Sequence, residues 1–142
     1  MPRAVRLPDL CAFCGAEDAE RHVDRLRCAR CHWRVGDVPD SGLERPRVEV
    51  VYYLRYADRI KIGTSAHPRQ RLGAIRHEQL LAFEQGGRGR ERQRHDEFAP
   101  LREGGEWFRA APELLEHIDR LDCPDPWLSY TRWVSAALRR IV

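Results

Sequence analysis

From residue 48 onward, short apolar runs alternate with charged stretches, and their periodicities predict a small mixed fold. The run VEVVYYLR (48–55) has the β-branched and aromatic content of a strand. Tyr56-Ala57-Asp58 forms a turn, and residues 59–63 make a second strand, so the pair reads as a hairpin. Thr64 to Pro68 leads into a helix over 69–77 with Leu72, Ile75 and, at the margin, Ala74 facing inward. QLLAFE (79–84) is short and apolar enough for a third strand. Glycines 86, 87 and 89 break the pattern before a charged helix over 90–99, whose inward groups are Phe98 and the aliphatic stems of its arginines. Pro100 disfavours its continuation. After a turn at Gly104-Gly105 come Glu106-Trp107-Phe108, and then a helix opening at Pro112 with Leu114, Leu115, Ile118 and Leu121 inward. Asp125-Pro126 signals a last helix, with Trp127, Tyr130, Trp133 or Val134, Ala137, Leu138 and Ile141 spaced by three and four.

These elements predict an α/β fold: a small three-stranded antiparallel sheet packed with helices, preceded by a cysteine module of zinc-ribbon or zinc-knuckle type. The glycine- and proline-rich stretch GDVPDSGLERPR (36–47) reads as a linker. The expected organisation is a cysteine module over 1–36, a linker over 37–47, a main domain over 48–121 and an amphipathic helical extension over 122–142. With 142 residues, two large cores are excluded. The apolar face of the last helix is expected to be core or the seam of a homodimer. There is no internal repeat and no low-complexity segment.

Residues 11–35, CAFCGAEDAERHVDRLRCARCHWRV, hold two C-x-x-C pairs, Cys11 with Cys14 and Cys28 with Cys31. Each such turn brings two sulfurs to one ion, and the second pair completes an S4 shell suited to zinc. Gly15 supplies the flexible residue of a knuckle, while His32 and Trp33 are expected to pack or to touch a ligand. Disulfides are the alternative, but the opening MPRAVRLPDL is too interrupted by charge and proline for a signal peptide, so an intracellular, reducing location is expected. So short a module buries little apolar surface, and the ion would supply most of its folding energy. Cys123 stands alone and reads as structural or incidental. Arg21, Arg25, Arg27, Arg30 and Arg34 are interrupted by Glu17, Asp18, Glu20 and Asp24, which leaves nucleic-acid contact and protein docking both open.

With 42% hydrophobic and 33% charged residues the chain belongs among folded soluble proteins, and no apolar run approaches the roughly 20 residues needed to cross a bilayer. The formal charge of +3 is only a mild hint of a polyanionic partner, whereas its distribution says more. Arg88, Arg90 and Arg94 lie in RGRERQR, and Arg69, Arg71, Arg76 and His77 lie on the preceding helical stretch. Two readings stand: a phosphate-facing surface, or a solvated helix face.

Tyr52, Lys61-Ile62-Gly63, Arg71 and Glu91 fall on successive elements that a hairpin beside two helices can bring to one face. On a phosphodiester each has a task. Glu91 would hold magnesium or manganese, which keep waters among their ligands. Arg71 offers a fork of donors to phosphate oxygens. Tyr52 would position or deprotonate the attacking water, with Lys61 as its positive neighbour, since an ordinary phenol is a weak base near neutrality. Gly63 reads as backbone geometry at a crowded turn. Tyr53 points to the opposite face and reads as core, although a register shift would exchange it with Tyr52.

The segments VVYYLRYADRIKIGTSAHPRQRL, ERQRHDEF and GEWF resemble the GIY-YIG nuclease superfamily, in particular its short phage and fungal branch. In that comparison Val50-Val51-Tyr52 and Lys61-Ile62-Gly63 stand at the two tripeptides, Arg71 at the helix arginine and Glu91 at the metal-binding glutamate. His95 and Phe98 extend an E-x-x-x-H-x-x-F pattern, and Glu106-Trp107-Phe108 stands at the downstream E-W-F. The likeness spans roughly 48–121 and departs at Val50, where the pattern has glycine, and at Lys61, where it has tyrosine. It implies an α/β endonuclease that cleaves phosphodiesters, in DNA, with a divalent ion. Tyr52, Lys61, Arg71, Glu91 and His95 are then its catalytic residues, and Arg69, Arg76, Arg88, Arg90, Arg94 and Trp107 its substrate contacts. Glu106 would assist the metal, and Trp107 and Phe108 would be packing or substrate walls. The competing expectations are a noncatalytic nucleic-acid-binding module and a zinc-stabilised protein-interaction factor.

Overall fold

The computed structural model describes residues 4–7, 10–23, 25–37 and 46–141. Asp24 and linker residues 38–45 lie outside the described residues. The chain forms two compact units, Met1–Pro46 with Leu128–Val142, and Arg47–Trp127.

The first unit carries strands β1 (Ala4–Arg6), β2 (Asp18–His22) and β3 (Arg25–Cys28) in a three-stranded antiparallel sheet of order β1-β2-β3. The sequence announces the cysteines but none of these strands. β2 and β3 alternate charged residues with only Ala19, Leu26 and Cys28 as inward candidates, too few for a strand signal. The unit's core is correspondingly small: Cys28, Cys31 and Trp33 are buried, with Phe13, Ala16 and Leu138 packed on them. Phe13 stacks on Trp33 with ring centroids 5.0 Å apart. The indole N–H of Trp33 donates to the Asp37 carbonyl at 2.9 Å.

In the second unit β4 (Val50–Tyr56) is an interior strand, paired with β6 on one side and β5 on the other, in a five-stranded sheet of order β6-β4-β5-β8-β7, with β5 (Arg59–Ser65), β6 (Gln79–Gln85), β7 (Arg102–Gly104) and β8 (Trp107–Arg109). The three expected strands are its core, and the expected count of three is corrected to five. The two added strands are three residues long, and Arg102-Glu103-Gly104 is exposed throughout, so no alternation announced them. Val50, Val51, Tyr52, Tyr53 and Leu54 are each at most 1% exposed, because this strand is covered on both faces. Helix α1 (Pro68–Gly73) and the edge of Trp127 on Phe83 cover the Tyr52 side. Helices α2 (Arg88–Glu97) and α3 (Pro112–Arg120) cover the Tyr53 side.

α1 ends at Gly73, four residues short of the expected His77, so Ala74 is a cap and only Leu72 of the three expected inward residues is buried. Pro68 begins it and Gly73, a poor helix former, ends it. In α3, Leu114 is buried, and so is His117, three residues on, which the sequence reading passed over.

The last helix, α4 (Pro126–Ile141), has Leu138 against the cysteine core, and the Arg132 Nε donates to the Arg30 carbonyl. From Leu128 on it groups with the cysteine unit. Among the described residues no helix is long and apolar enough to cross a membrane.

Candidate functional site

The first site is the cysteine cluster. The ligand atoms of Cys11, Cys14, Cys28 and Cys31 all lie within 4.8 Å of one another, with Sγ pairs Cys11–Cys31 at 3.8 Å and Cys14–Cys28 at 3.5 Å. Sulfurs placed about 2.3 Å from a tetrahedral zinc stand about 3.8 Å apart, so this donor set fits that ion. The two turns repeat one geometry. The N–H of Gly15 donates to the Cys11 carbonyl and that of His32 to the Cys28 carbonyl, and both residues have left-handed backbones, φ 79° and 69°. Gly15 adopts that conformation without strain, whereas His32 is the exposed residue that turns the second knuckle rather than a fifth ligand. Backbone N–H groups of Phe13, Arg30, Cys31 and Trp33 point at sulfurs from 3.4 Å, the arrangement that steadies thiolates. At Cys28 burial works to raise the thiol, yet the N–H donors of Cys31 and Arg30 hold it below its ordinary value.

The second site surrounds Tyr52. Its cross-strand partner on β5 is Gly63, and a Cβ built on Gly63 would collide with the phenol oxygen and Cζ of Tyr52. The ring thus lies across Gly63, which sits inside a strand rather than at the expected turn. Glycine is there so that the phenol can reach over β5. Replacing Gly63 by alanine is expected to destabilise the unit by about 1–3 kcal/mol, because a rigid buried ring must move. Gly73→Ala, where a Cβ meets nothing within 4 Å, is the matched control and should be neutral or mildly stabilising. Equal melting temperatures for the two variants would refute the close approach.

Arg71, from α1, is the cation that acts on the Tyr52 phenol, and the negative fields of Glu106 and Glu91 also reach it. Burial first, and then those two carboxylates, push the phenol above its ordinary pKa against the pull of Arg71. Glu91, in the first turn of α2, is half-buried. Burial and the nearby Glu106 raise its carboxyl above the usual range, while His95, Arg88 and Lys61 pull it down. Among the described residues no hydrogen bond or ion pair engages the Glu91 carboxylate. Arg71 and Glu91, from two separate helices, therefore both act electrostatically on the Tyr52 phenol.

Lys61 belongs to the same neighbourhood, but the cation on the phenol is Arg71. The Lys61 ammonium lies 3.4 Å from the Glu106 carboxylate and 5.4 Å from the Trp107 ring centroid. His95, expected among the catalytic groups, has Nε2 2.8 Å from the Ile62 carbonyl and its ring against Phe108. A carbonyl only accepts, so Nε2 carries the proton, and His95 fastens the Glu91 helix to the Lys61 strand.

Of the expected substrate contacts, Arg88 and Arg90 are exposed on the first turn of α2, with Arg88 close enough to lower the Glu91 pKa. Arg69 lies over the Trp127 ring at 4.6 Å and Arg76 over Tyr56 at 5.4 Å, both on the surface. Trp107 is half-buried with Arg59 and Lys61 over its ring. Arg94 is corrected. Its guanidinium grips Glu84 at 3.0 and 2.5 Å and Glu97 at 2.9 Å, leaving no fork for phosphate.

That pair anchors a buried network which the sequence reading missed. Tyr53 O–H donates to Glu84 at 2.9 Å, so His117, whose Nε2 lies 3.0 Å from the same oxygen, donates to it and is the neutral Nε2–H tautomer. Burial, then Arg94, lowers the His117 pKa. At Glu84 burial opposes the charge, yet hydrogen bonds from Arg94 and Tyr53 hold its carboxyl below the ordinary range. Both folded values lie below the unfolded ones, so the stability they contribute is present above the unfolded pKa values and lost as pH falls through the folded ones. Amide-exchange protection of β4 is expected to weaken from neutral to mildly acidic pH, and His117→Gln to flatten that decline. An unchanged decline in the variant would count against the protonation of His117 as its cause.

No family model, no curated protein and no solved structure matches the chain.

Proposed function

We propose that the Arg47–Trp127 unit is a divalent-metal-dependent endonuclease of GIY-YIG type that hydrolyses phosphodiester bonds, in DNA, and that the cysteine unit binds one structural zinc ion. The observation that supports the nuclease reading is that the Arg71 guanidinium of α1 and the half-buried Glu91 carboxylate of α2, which has no ion pair among the described residues, both act on the Tyr52 phenol of β4. Glu91 fits a magnesium or manganese ion as one protein ligand, the others being water and phosphate oxygens. Among the described residues the four cysteines form the only group of three or more metal-ligating side chains. When bound, such an ion polarises a nonbridging oxygen and stabilises the leaving group.

This chain's own residues then divide the work. Arg71 holds the phosphate and meets the charge that develops on it. Tyr52, kept protonated by burial, orients the attacking water by hydrogen bonding rather than removing its proton. Lys61 adds positive charge on the Glu91 side, and His95 keeps the Glu91 helix in register. Exposed Arg69, Arg76, Arg88 and Arg90 supply sequence-independent attraction to the backbone.

The test is cleavage of a panel of DNA and RNA substrates with and without magnesium or manganese, comparing the wild type with Glu91→Ala. Metal-dependent cutting that the variant lacks supports the reading. Salt-sensitive binding with no cleavage on any substrate would instead make the protein a noncatalytic nucleic-acid-binding module.

A further inference from the structure

We propose that Glu106 is a positioning residue for Lys61: its carboxylate and the neighbouring Trp107 indole form a cradle that fixes the ammonium on the phenol side of the sheet. The inference rests on the nuclease reading above and adds a residue to it.

Lys61 and Gly63 are two apart on β5, so the lysine emerges on the face across which the Tyr52 ring lies. Trp107, on β8, is its cross-strand partner. The ammonium stands 3.4 Å from Glu106 Oε2 and 5.4 Å from the indole centroid, and the lysine side chain is only 15% exposed. Glu106 is itself tied down, because its carbonyl accepts the Ile62 N–H at 2.9 Å, next to the lysine it holds. A flexible four-carbon stem left without this partner would carry its charge through many rotamers.

The carboxylate serves in addition as a counter-charge at close quarters, since its field reaches Tyr52, Arg71 and Glu91. Engaged by an ammonium, Glu106 is placed to steady a cation of the protein rather than to bind a divalent ion. A second metal-binding carboxylate and a lysine-holding carboxylate make opposite predictions for metal dependence.

The experiment is a double-mutant cycle of Glu106→Gln and Lys61→Met in the full chain, read as single-turnover cleavage across a magnesium titration. Misplacing a reacting-site group by about 1 Å costs on the order of 10²-fold, and a loss of that order is expected for Glu106→Gln. The loss should persist at saturating magnesium, and the double variant should be no slower than Lys61→Met alone. Where melting shows Glu106→Gln to be unfolded, Glu106→Asp takes its place in the cycle. Three results would overturn the inference: a Glu106 variant within about twofold of the wild type, losses that add in the double variant, or a loss recovered by raising magnesium. A wild type that cuts nothing defeats the nuclease reading itself, a result distinct from any of these.

Discussion

Cys28→Ser is expected to unfold the cysteine unit while the Arg47–Trp127 unit keeps its sheet. Cys28 is fully buried, its sulfur lies 3.5 Å from that of Cys14, and it accepts N–H groups from Arg30 and Cys31. The substitution removes one of four ligands and leaves a buried hydroxyl that is a poor donor to zinc. What would remain to hold the fold is a core of Cys31 and Trp33 with a few partly covered neighbours, far too little apolar burial to offset the ordering of about sixty residues. Structural zinc in peptides of this size contributes roughly 10–16 kcal/mol at neutral pH, most of which depends on a complete ligand set. The expected readout is one zinc per chain in the wild type and none in the variant by elemental analysis. Amide protection should be lost across β2 and β3 but retained across β4 and β5. A chelator should reproduce the pattern. A Cys28→Ser protein with full protection of β2 and β3 would show that the thiols hold this unit without an ion.

How much of this was readable beforehand depended on whether local chemistry or tertiary pairing decided each feature. VVYYL is buried on both faces and QLLAFE is a short apolar run, so β4 and β6 stood out, and C-x-x-C spacing defines a ligand set without reference to the rest of the chain. β7 and β8 could not be read, because their three-residue strands owe their conformation to pairing with β5 and with each other. The same limit applies within the site. The sequence put Tyr52, Lys61, Arg71 and Glu91 in order but not in contact, and so it assigned to Lys61 the place beside the phenol that Arg71 holds. Arg94 looked like its exposed neighbours in RGRERQR. Its difference lies in Glu84, ten residues earlier on another element, whose charge inside an apolar strand was the available signal. His95 shows why a histidine in a suggestive motif is ambiguous, and His117 why one outside any motif goes unnoticed: each is held by a partner distant in sequence, Ile62 and Tyr53 respectively.

Glu91→Ala should abolish cleavage without loosening the fold, and those two effects together separate a functional acid from a structural one. A charged side chain half-removed from water normally has a partner. Glu91 has instead burial and the field of Glu106, both of which penalise its charge, with only more distant cations in compensation. Its folded pKa is raised, so its contribution to stability is present below the unfolded value and lost as pH rises through the folded one. At neutral pH the carboxylate thus strains the metal-free fold, and removing it is expected to leave the melting temperature unchanged or higher. A divalent ion would reverse that sign by supplying the missing positive charge. Magnesium or manganese is therefore expected to raise the melting temperature of the wild type and not of the variant. Charge stabilisation by the ion amounts to several kcal/mol in the transition state, so the single-turnover rate should fall by about 10³-fold or more. If Glu91→Ala instead melts lower than the wild type, and metal stabilises both equally, the acid is a structural charge of α2 and the ion binds elsewhere.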